Sequence, residues 1–383
     1  MKYIPYGRQH IDAGDIREVT RVLRSDWITQ GPKVGEFEKS LCDYTGAKYA
    51  VAVSSGTAAL HIACLAAGIS SDDEVITSPV TFTASANCAL YCGAKPVFAD
   101  VFSDTVNIDP SEIERRITKK TRAIIPVHFS GHPCKIQEIF RIAKKHNALV
   151  IEDAAHALGA AYAYKGKKIK IGSCKHSDMT VFSFHPLKAI TTGEGGAVLT
   201  NSKHLHDKLV LFRTHGITKD KISLKGKSAG AWYYEMHVLG YNYRITDIQC
   251  ALGISQLGRL DSFIAKRRKI AKSYSKKLLG IKGISFLGEK EYVDSAWHLY
   301  PIQVRSGRKK VFDYLRSKNI GVQVHYIPVH LQPYYKKMGY KKGDFPNAEK
   351  YYSGAISLPI YPGLSFKQVG YVCKTLREAL YAR

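Results

Sequence analysis

From Ala50 to Asp153 the chain alternates short β-branched runs with helical patterns, and nothing else in the sequence restricts the fold as much. Candidate strands run over Ala50–Val53, Glu74–Ser78, Pro96–Val101, Arg122–Val127 and Leu149–Asp153, separated by amphipathic stretches such as Cys134–His146. Strands that alternate with helices are joined by right-handed crossovers and assemble into a mostly parallel sheet. Two more apolar runs, Met179–Phe184 and Gly196–Thr200, flank a glycine-rich turn and bring the expected sheet to seven strands. After about residue 245 the texture changes. A long helical pattern covers Thr246–Leu279, strand-like runs at His298–Val304 and Gly321–Ile327 flank a helix near Arg308–Lys318, and another helix begins near Phe366. The expected fold class is α/β, with a large domain over residues 1–245 and a small α+β domain over residues 246–383.

With 383 residues, 45% of them hydrophobic, the chain can bury a full core. The first residues, Met1 to Arg8, show no apolar run behind their basic side chains, as a secretory signal or anchor requires. The longest apolar stretches, such as Ala58–Ile69, fall short of the ~20 residues of a spanning helix. Eight scattered cysteines form no Cys-x-x-Cys pair and have no histidine at zinc-finger spacing. The expectation is a cytoplasmic protein with reduced thiols and no metal. Lys plus Arg number 57 against 32 Asp plus Glu, a net charge of +25, so nucleic acid, an anionic membrane or a phosphorylated metabolite each suit as partner. The basic residues gather in Lys266, Arg267, Arg268, Lys269, Lys272, Lys276 and Lys277, and again in Lys165, Lys167, Lys168, Lys170 and Lys175. No nucleic-acid recognition module accompanies them, and a basic helix face is ordinarily just solvated, so nucleic-acid binding stays a remote reading.

Three segments carry chemistry. In Val181-Phe-Ser183-Phe-His-Pro-Leu-Lys188, a strand delivers Ser183 and a lysine follows in apolar company, before the turn Gly193-Glu194-Gly195-Gly196. Apolar surroundings push a lysine toward its neutral amine, the form that bonds a carbonyl carbon, although any one of 57 basic residues is by default a surface cation. In Val150-Ile-Glu152-Asp153-Ala-Ala-His156, an acid stands at the carboxyl end of a buried strand, where open parallel sheets bind ligands. A carboxylate there can hold a pyridinium nitrogen protonated, or simply cap the next helix. In Ser54-Ser55-Gly56-Thr57-Ala58, small hydroxylated residues open a helix whose free N–H groups suit a phosphate, and which is equally an ordinary N-cap.

In this order the three segments resemble the fold-type I enzymes that use pyridoxal 5′-phosphate, and more narrowly the DegT/DnrJ/EryC1/StrS family of sugar aminotransferases. The resemblance begins at Trp27-Ile28-Thr29-Gln30-Gly31-Pro32 and continues through Thr81-Phe82-Thr-Ala-Ser-Ala-Asn, Gly240-Tyr-Asn242-Tyr-Arg244-Ile-Thr-Asp-Ile-Gln and Val324-His325-Tyr326-Ile-Pro328. It implies that Lys188 bears the cofactor and later moves the proton, that Asp153 pairs with the ring nitrogen, and that Phe82 stacks on the ring. It also implies that Gly56, Thr57, Ala58 and Ser183 hold the phosphate, joined by Asn242 from a partner subunit, hence a homodimer with shared active sites. His156 stands near the ring hydroxyl where many relatives carry Gln. The dehydratases of the family replace the lysine with His, so Lys188 points to amination.

Within the family, the stretches Trp232–Gln249, Val181–Thr192, Trp297–Pro301 and Val322–Tyr326 resemble the members that act in pseudaminic acid biosynthesis. That resemblance implies transfer of the amino group of L-glutamate to the C4 ketone of a UDP-4-keto-6-deoxy-N-acetylhexosamine, UDP-2-acetamido-2,6-dideoxy-β-L-arabino-hex-4-ulose. Tyr6, Asp26, Trp27, Ile28, Thr29, Arg244, His325 and Tyr326 would line the nucleotide-sugar pocket. Another nucleotide-linked keto sugar, of the perosamine, bacillosamine or 3-amino type, is the alternative.

Overall fold

The computed structural model describes residues 2–220, 222 and 224–381. Seven strands form the main sheet: β1 (Tyr49–Val53), β2 (Glu74–Thr77), β3 (Lys95–Phe98), β4 (Thr121–Ile125), β5 (Leu149–Asp153), β6 (Met179–Ser183) and β7 (Gly196–Thr200). Their order across the sheet is β1, β7, β6, β5, β4, β2, β3. All adjacent pairs from β6 to β3 are parallel, and β7 alone runs against both its neighbours. The carboxyl ends of β1, β2, β4, β5 and β6 therefore share one edge, where β7 begins.

Apart from the edge strand β3, the strands are buried on both faces, and their side chains alternate between two cores. Ala50 and Ala52, Ile124 and Val150 pack on one side, while Val51 and Val53, Ala123 and Ile151 pack on the other. Two helices matter for the site. α1 (Gly56–Ala66) starts directly after β1, with Ser55 as N-cap, and α2 (Ala84–Tyr91) follows the loop after β2. A second sheet, of Ile284–Phe286, Tyr300–Val304 and Ala355–Leu358, has its own apolar core. Ile4 is buried in that core, and its backbone bonds Asn319 and Gly321 at 2.9 and 2.7 Å.

Three expectations need correction. The helical pattern over Thr246–Leu279 is two helices, α3 (Asp247–Leu257) and α4 (Leu260–Leu278), parted at Gly258 and Arg259. The run Gly321–Ile327 makes only an isolated bridge from Gln323 to Ser357, because its residues turn to face a cavity before Pro328. The basic run on α4 is not one solvated face: Arg267 is fully buried and donates to the carbonyls of Trp297, His298 and Ile360, and Arg268 donates to that of Ser295 at 2.9 Å. Among the described residues, no helix is long and apolar enough to cross a membrane, and no group of His, Cys, Asp or Glu is arranged to hold a metal ion.

Candidate active site

The shared edge of the sheet opens into a cavity of ≈ 690 Å³. Asp153 ends β5 inside it. Its Oδ2 accepts from the Ser85 hydroxyl at 2.5 Å and its Oδ1 from the Ala155 amide at 3.1 Å. The Ser85 oxygen is in turn 2.6 Å from that of Thr81. These donors hold the carboxylate and leave it lone pairs with which to accept further bonds.

Ser183 ends β6, and the turn that follows brings Lys188 into the same space. Burial pushes the Lys188 ammonium down to about 8, against the opposing pull of Asp153. About a tenth of it is then free amine at pH 7. Across from the lysine lies the N-terminus of α1. A Cβ on Gly56 would come within 2.8 Å of the Ser183 Cβ, and one on Gly196 within 2.5 Å of the Ser55 oxygen. Only glycines let these chain segments close up behind a niche floored by the first turn of a helix. The Gly56 and Thr57 amides stand in that turn, where a helix offers no internal acceptor. The Ala58 amide stands there too and donates to Ser55 Oγ at 3.1 Å.

His156 follows β5 and is buried. Its Nε2 is 3.1 Å from the Tyr326 hydroxyl, and its ring lies 4.3 Å from that of His298. The Nδ1 atoms of both histidines have no hydrogen-bond partner. Burial, with Lys188 close by, pushes both imidazoles well below the usual range and keeps them neutral. Tyr326 and Phe82 face each other, ring centres 6.4 Å apart, and Phe82 is 60% exposed at the mouth. Tyr6 and His325 complete this wall, with His325 Nδ1 on Ser357 Oγ at 2.8 Å.

Not every expected residue meets here. Asp26, Trp27, Ile28 and Thr29 are exposed on a loop away from the cavity, and Asn242 is exposed as well. Arg244 bridges Val53 through its backbone, and its side chain is not among those lining the cavity. The loop is nevertheless anchored. The buried Asp247 accepts the amides of Gly31 and Lys33 at 2.6 and 2.8 Å, and Gln30 Nε2 donates to the Ile245 carbonyl at 2.7 Å. Ser85, His298 and Asp247 are the contributors that sequence reasoning missed. Ser85 lies three residues after Phe82 in Thr81-Phe82-Thr-Ala-Ser85, one helical turn away, which is the signal available for it.

The sequence profile of the DegT/DnrJ/EryC1/StrS aminotransferase family matches residues 9–377. The chain belongs to this family. The spore coat polysaccharide biosynthesis protein SpsC of Bacillus subtilis is 43% identical over 383 residues, 98% of this chain and 97% of that protein. The UDP-4-amino-4,6-dideoxy-N-acetyl-β-L-altrosamine transaminase of Campylobacter jejuni is 41% identical over 386 residues, 98% of this chain and 97% of that protein. The solved structure of Helicobacter pylori PseC, an aminotransferase involved in pseudaminic acid biosynthesis, superposes with a TM-score of 0.91 at 32% identity, covering all of both chains. The protein is thus a sugar aminotransferase of nucleotide-linked keto sugars, and its cofactor is pyridoxal 5′-phosphate; solved structures among the matches include forms loaded with it and with its amino form. The cavity fits that group. It offers one depressed lysine, one oriented carboxylate, a glycine-lined niche at a helix N-terminus and a buried His156 nitrogen without a partner.

Proposed function

We propose that this enzyme transfers the amino group of L-glutamate to the C4 ketone of a UDP-4-keto-6-deoxy-N-acetylhexosamine of the pseudaminic acid type, in the cytoplasm, as a homodimer with shared active sites. The observation that carries the reading is the meeting of Lys188 and Asp153 in one cavity opposite the first turn of α1. Pyridoxal 5′-phosphate supplies an aldehyde carbon and an electron-withdrawing ring when bound there. Asp153 would keep the ring nitrogen protonated, and Phe82 would stack on the ring. Gly56, Thr57, Ala58 and Ser183 would hold the phosphate together with Asn242 of the partner subunit. The Lys188 amine takes the proton from Cα of glutamate in the first half-reaction and delivers one to C4 of the sugar in the second. Tyr6, His325 and Tyr326 orient the sugar. The exposed loop Asp26–Thr29 and Arg244 serve a neighbouring copy's pocket, which accounts for their distance from their own. Residues 1–245 then make the cofactor-binding domain and residues 246–383 the small domain.

The test is Lys188→Ala. Turnover should fall by roughly 10²–10⁴ or more, the span of a positioned acid–base group, and borohydride should no longer fix cofactor to the chain. Undiminished turnover sinks the assignment. NMR of the wild-type product decides the sugar: amination at any carbon but C4 refutes the finer reading while leaving the aminotransferase intact.

A further inference from the structure

Behind Asp153 lies a buried polar cluster that does not line the cavity. Glu152 precedes Asp153 on β5, and strand alternation sends its side chain to the opposite face of the sheet. It is buried, and three donors meet its carboxylate. Oε1 accepts from the Ser177 and Thr180 hydroxyls at 2.5 and 2.7 Å, and Oε2 lies 2.8 Å from His128 Nε2. His128 is fully buried, and its Nδ1 accepts the Cys134 amide at 3.0 Å. With Nδ1 serving as acceptor, the ring proton sits on Nε2 and is donated to Glu152.

The backbone of His128 is bonded to the same strand end. Its amide donates to the Asp153 carbonyl at 3.1 Å, and the Asp153 amide donates to the Pro126 carbonyl at 2.9 Å. Side chain and backbone of His128 thus close a clasp on two successive residues of β5. The turn that follows, Phe129–Gly131, holds a second wall of the cavity. The Ser130 carbonyl accepts the His298 amide at 2.9 Å, the Gly131 carbonyl accepts the Ala296 amide at 3.0 Å, and the Ser130 hydroxyl donates to the Leu299 carbonyl at 2.7 Å. Ser130 and Trp297 both take positive φ, 61° and 48°, which a residue with a Cβ adopts at a cost. A Cβ on Gly131 would come within 2.8 Å of the His156 carbonyl oxygen and 3.0 Å of the Trp297 nitrogen. Strain of this kind persists where surrounding bonds over-determine it. Here those bonds converge on His298, whose ring lies 4.3 Å from that of His156 in the cavity.

We propose that Glu152 and His128 are positioning residues for transamination: their clasp sets Asp153 through the end of β5 and sets His298 against His156 through the turn Phe129–Gly131. One buried pair then fixes two walls of the cavity that lie far apart in the sequence. The catalytic consequence rests on the ring-nitrogen role proposed for Asp153, whereas the mechanical coupling of the two walls does not.

Two variants open the clasp. Glu152→Met keeps the length of the side chain without a strong acceptor, and His128→Asn drops the bond to Glu152. Ser177→Ala removes a donor to Glu152 and leaves the bond to His128 in place. Amide hydrogen exchange of the apo-protein, read against β1, should quicken about tenfold or more at Asp153 and at Ala296 and His298 together in both clasp variants. In the holoenzyme, kcat should fall roughly 10–100-fold with little change in KM, as for misplaced reacting groups, and the visible circular dichroism of the bound cofactor should change. Ser177→Ala should lower Tm while exchange, kcat and dichroism stay as in the wild type. Unaltered exchange at Ala296 and His298 in both clasp variants, or a Ser177→Ala variant that matches them, overturns the proposal. Faster exchange at both walls with unaltered kcat and dichroism instead refutes the role given to Asp153. If neither clasp variant folds, exchange of the wild-type chain in rising urea decides: the Asp153 and His298 amides should open at one shared concentration, and separate openings overturn the coupling.

Discussion

Burial in the cavity strips the Lys188 ammonium of water, which suits it to the base role proposed for it. The sign of the consequence is fixed. In the unfolded chain the group holds its proton up to about 10.5, while in the fold it lets go near about 8. Between these values the unfolded state binds more protons, so the stability of the apo-protein rises with pH across that window. Recombination of apo-protein with cofactor should quicken as pH passes through about 8 and level off above it, followed by absorbance. Ser85 acts one step back. Ser85→Ala removes the 2.5 Å donor to Asp153, and kcat should fall about tenfold with little change in KM, in line with a lost charge-assisted hydrogen bond of about 1.5 kcal/mol. Lys188 and Asp153 were legible because strand ends and glycine turns are written locally. Ser85 and His298 were not, since a hydroxyl and an imidazole gain their meaning only from the side chain each meets across the fold.

At the scale of elements, the strands were readable: β5 and β7 fall on the expected residues, because continuous β-branched runs bounded by turns have few alternatives. The hairpin Ala161–Tyr164 with Lys167–Lys170 was overlooked, since its lysines looked like a charge cluster. Its turn, Lys165-Gly166, has both φ values positive, 48° and 73°, as a two-residue hairpin requires. Lys170 there is 3.8 Å from the Tyr44 ring centre, so part of that cluster has structural partners. The contact between α1 and β6 gives a prediction. Gly56→Ala must displace the Ser183 side chain, and cofactor affinity measured by titration of apo-protein should weaken by about tenfold or more, as for a mispositioned binding element. Asp247→Ala strands the Gly31 and Lys33 amides. Thermal denaturation should show a loss of roughly 1–3 kcal/mol.

Over the whole molecule, acid should be the weak point. Burial pushes His132 and His325 down to about 4, with Lys188 adding to the effect on His325, and both would titrate near 6.5 when unfolded. Their contribution is complete above 6.5 and is lost as pH falls toward about 4, because the unfolded chain then binds more protons. Scanning calorimetry should show Tm dropping across that interval, and the combined His132→Asn and His325→Asn variant should flatten the drop. Assembly can be tested by mixing Lys188→Ala with Asn242→Ala subunits: shared sites restore activity that neither variant has alone. Among the cations behind the +25 charge, Arg267, Arg268 and Lys170 bind backbone carbonyls.

The order of the main sheet also governs how the protein comes into being. β1 lies at its edge, and its one strand partner is β7, the last of the seven to be made. A chain emerging from the ribosome must carry its first strand, and α1 attached to it, unpaired until the segment after Lys188 has appeared. The phosphate niche and the lysine are therefore completed in the same late event, and a nascent chain has no finished place for the cofactor before then.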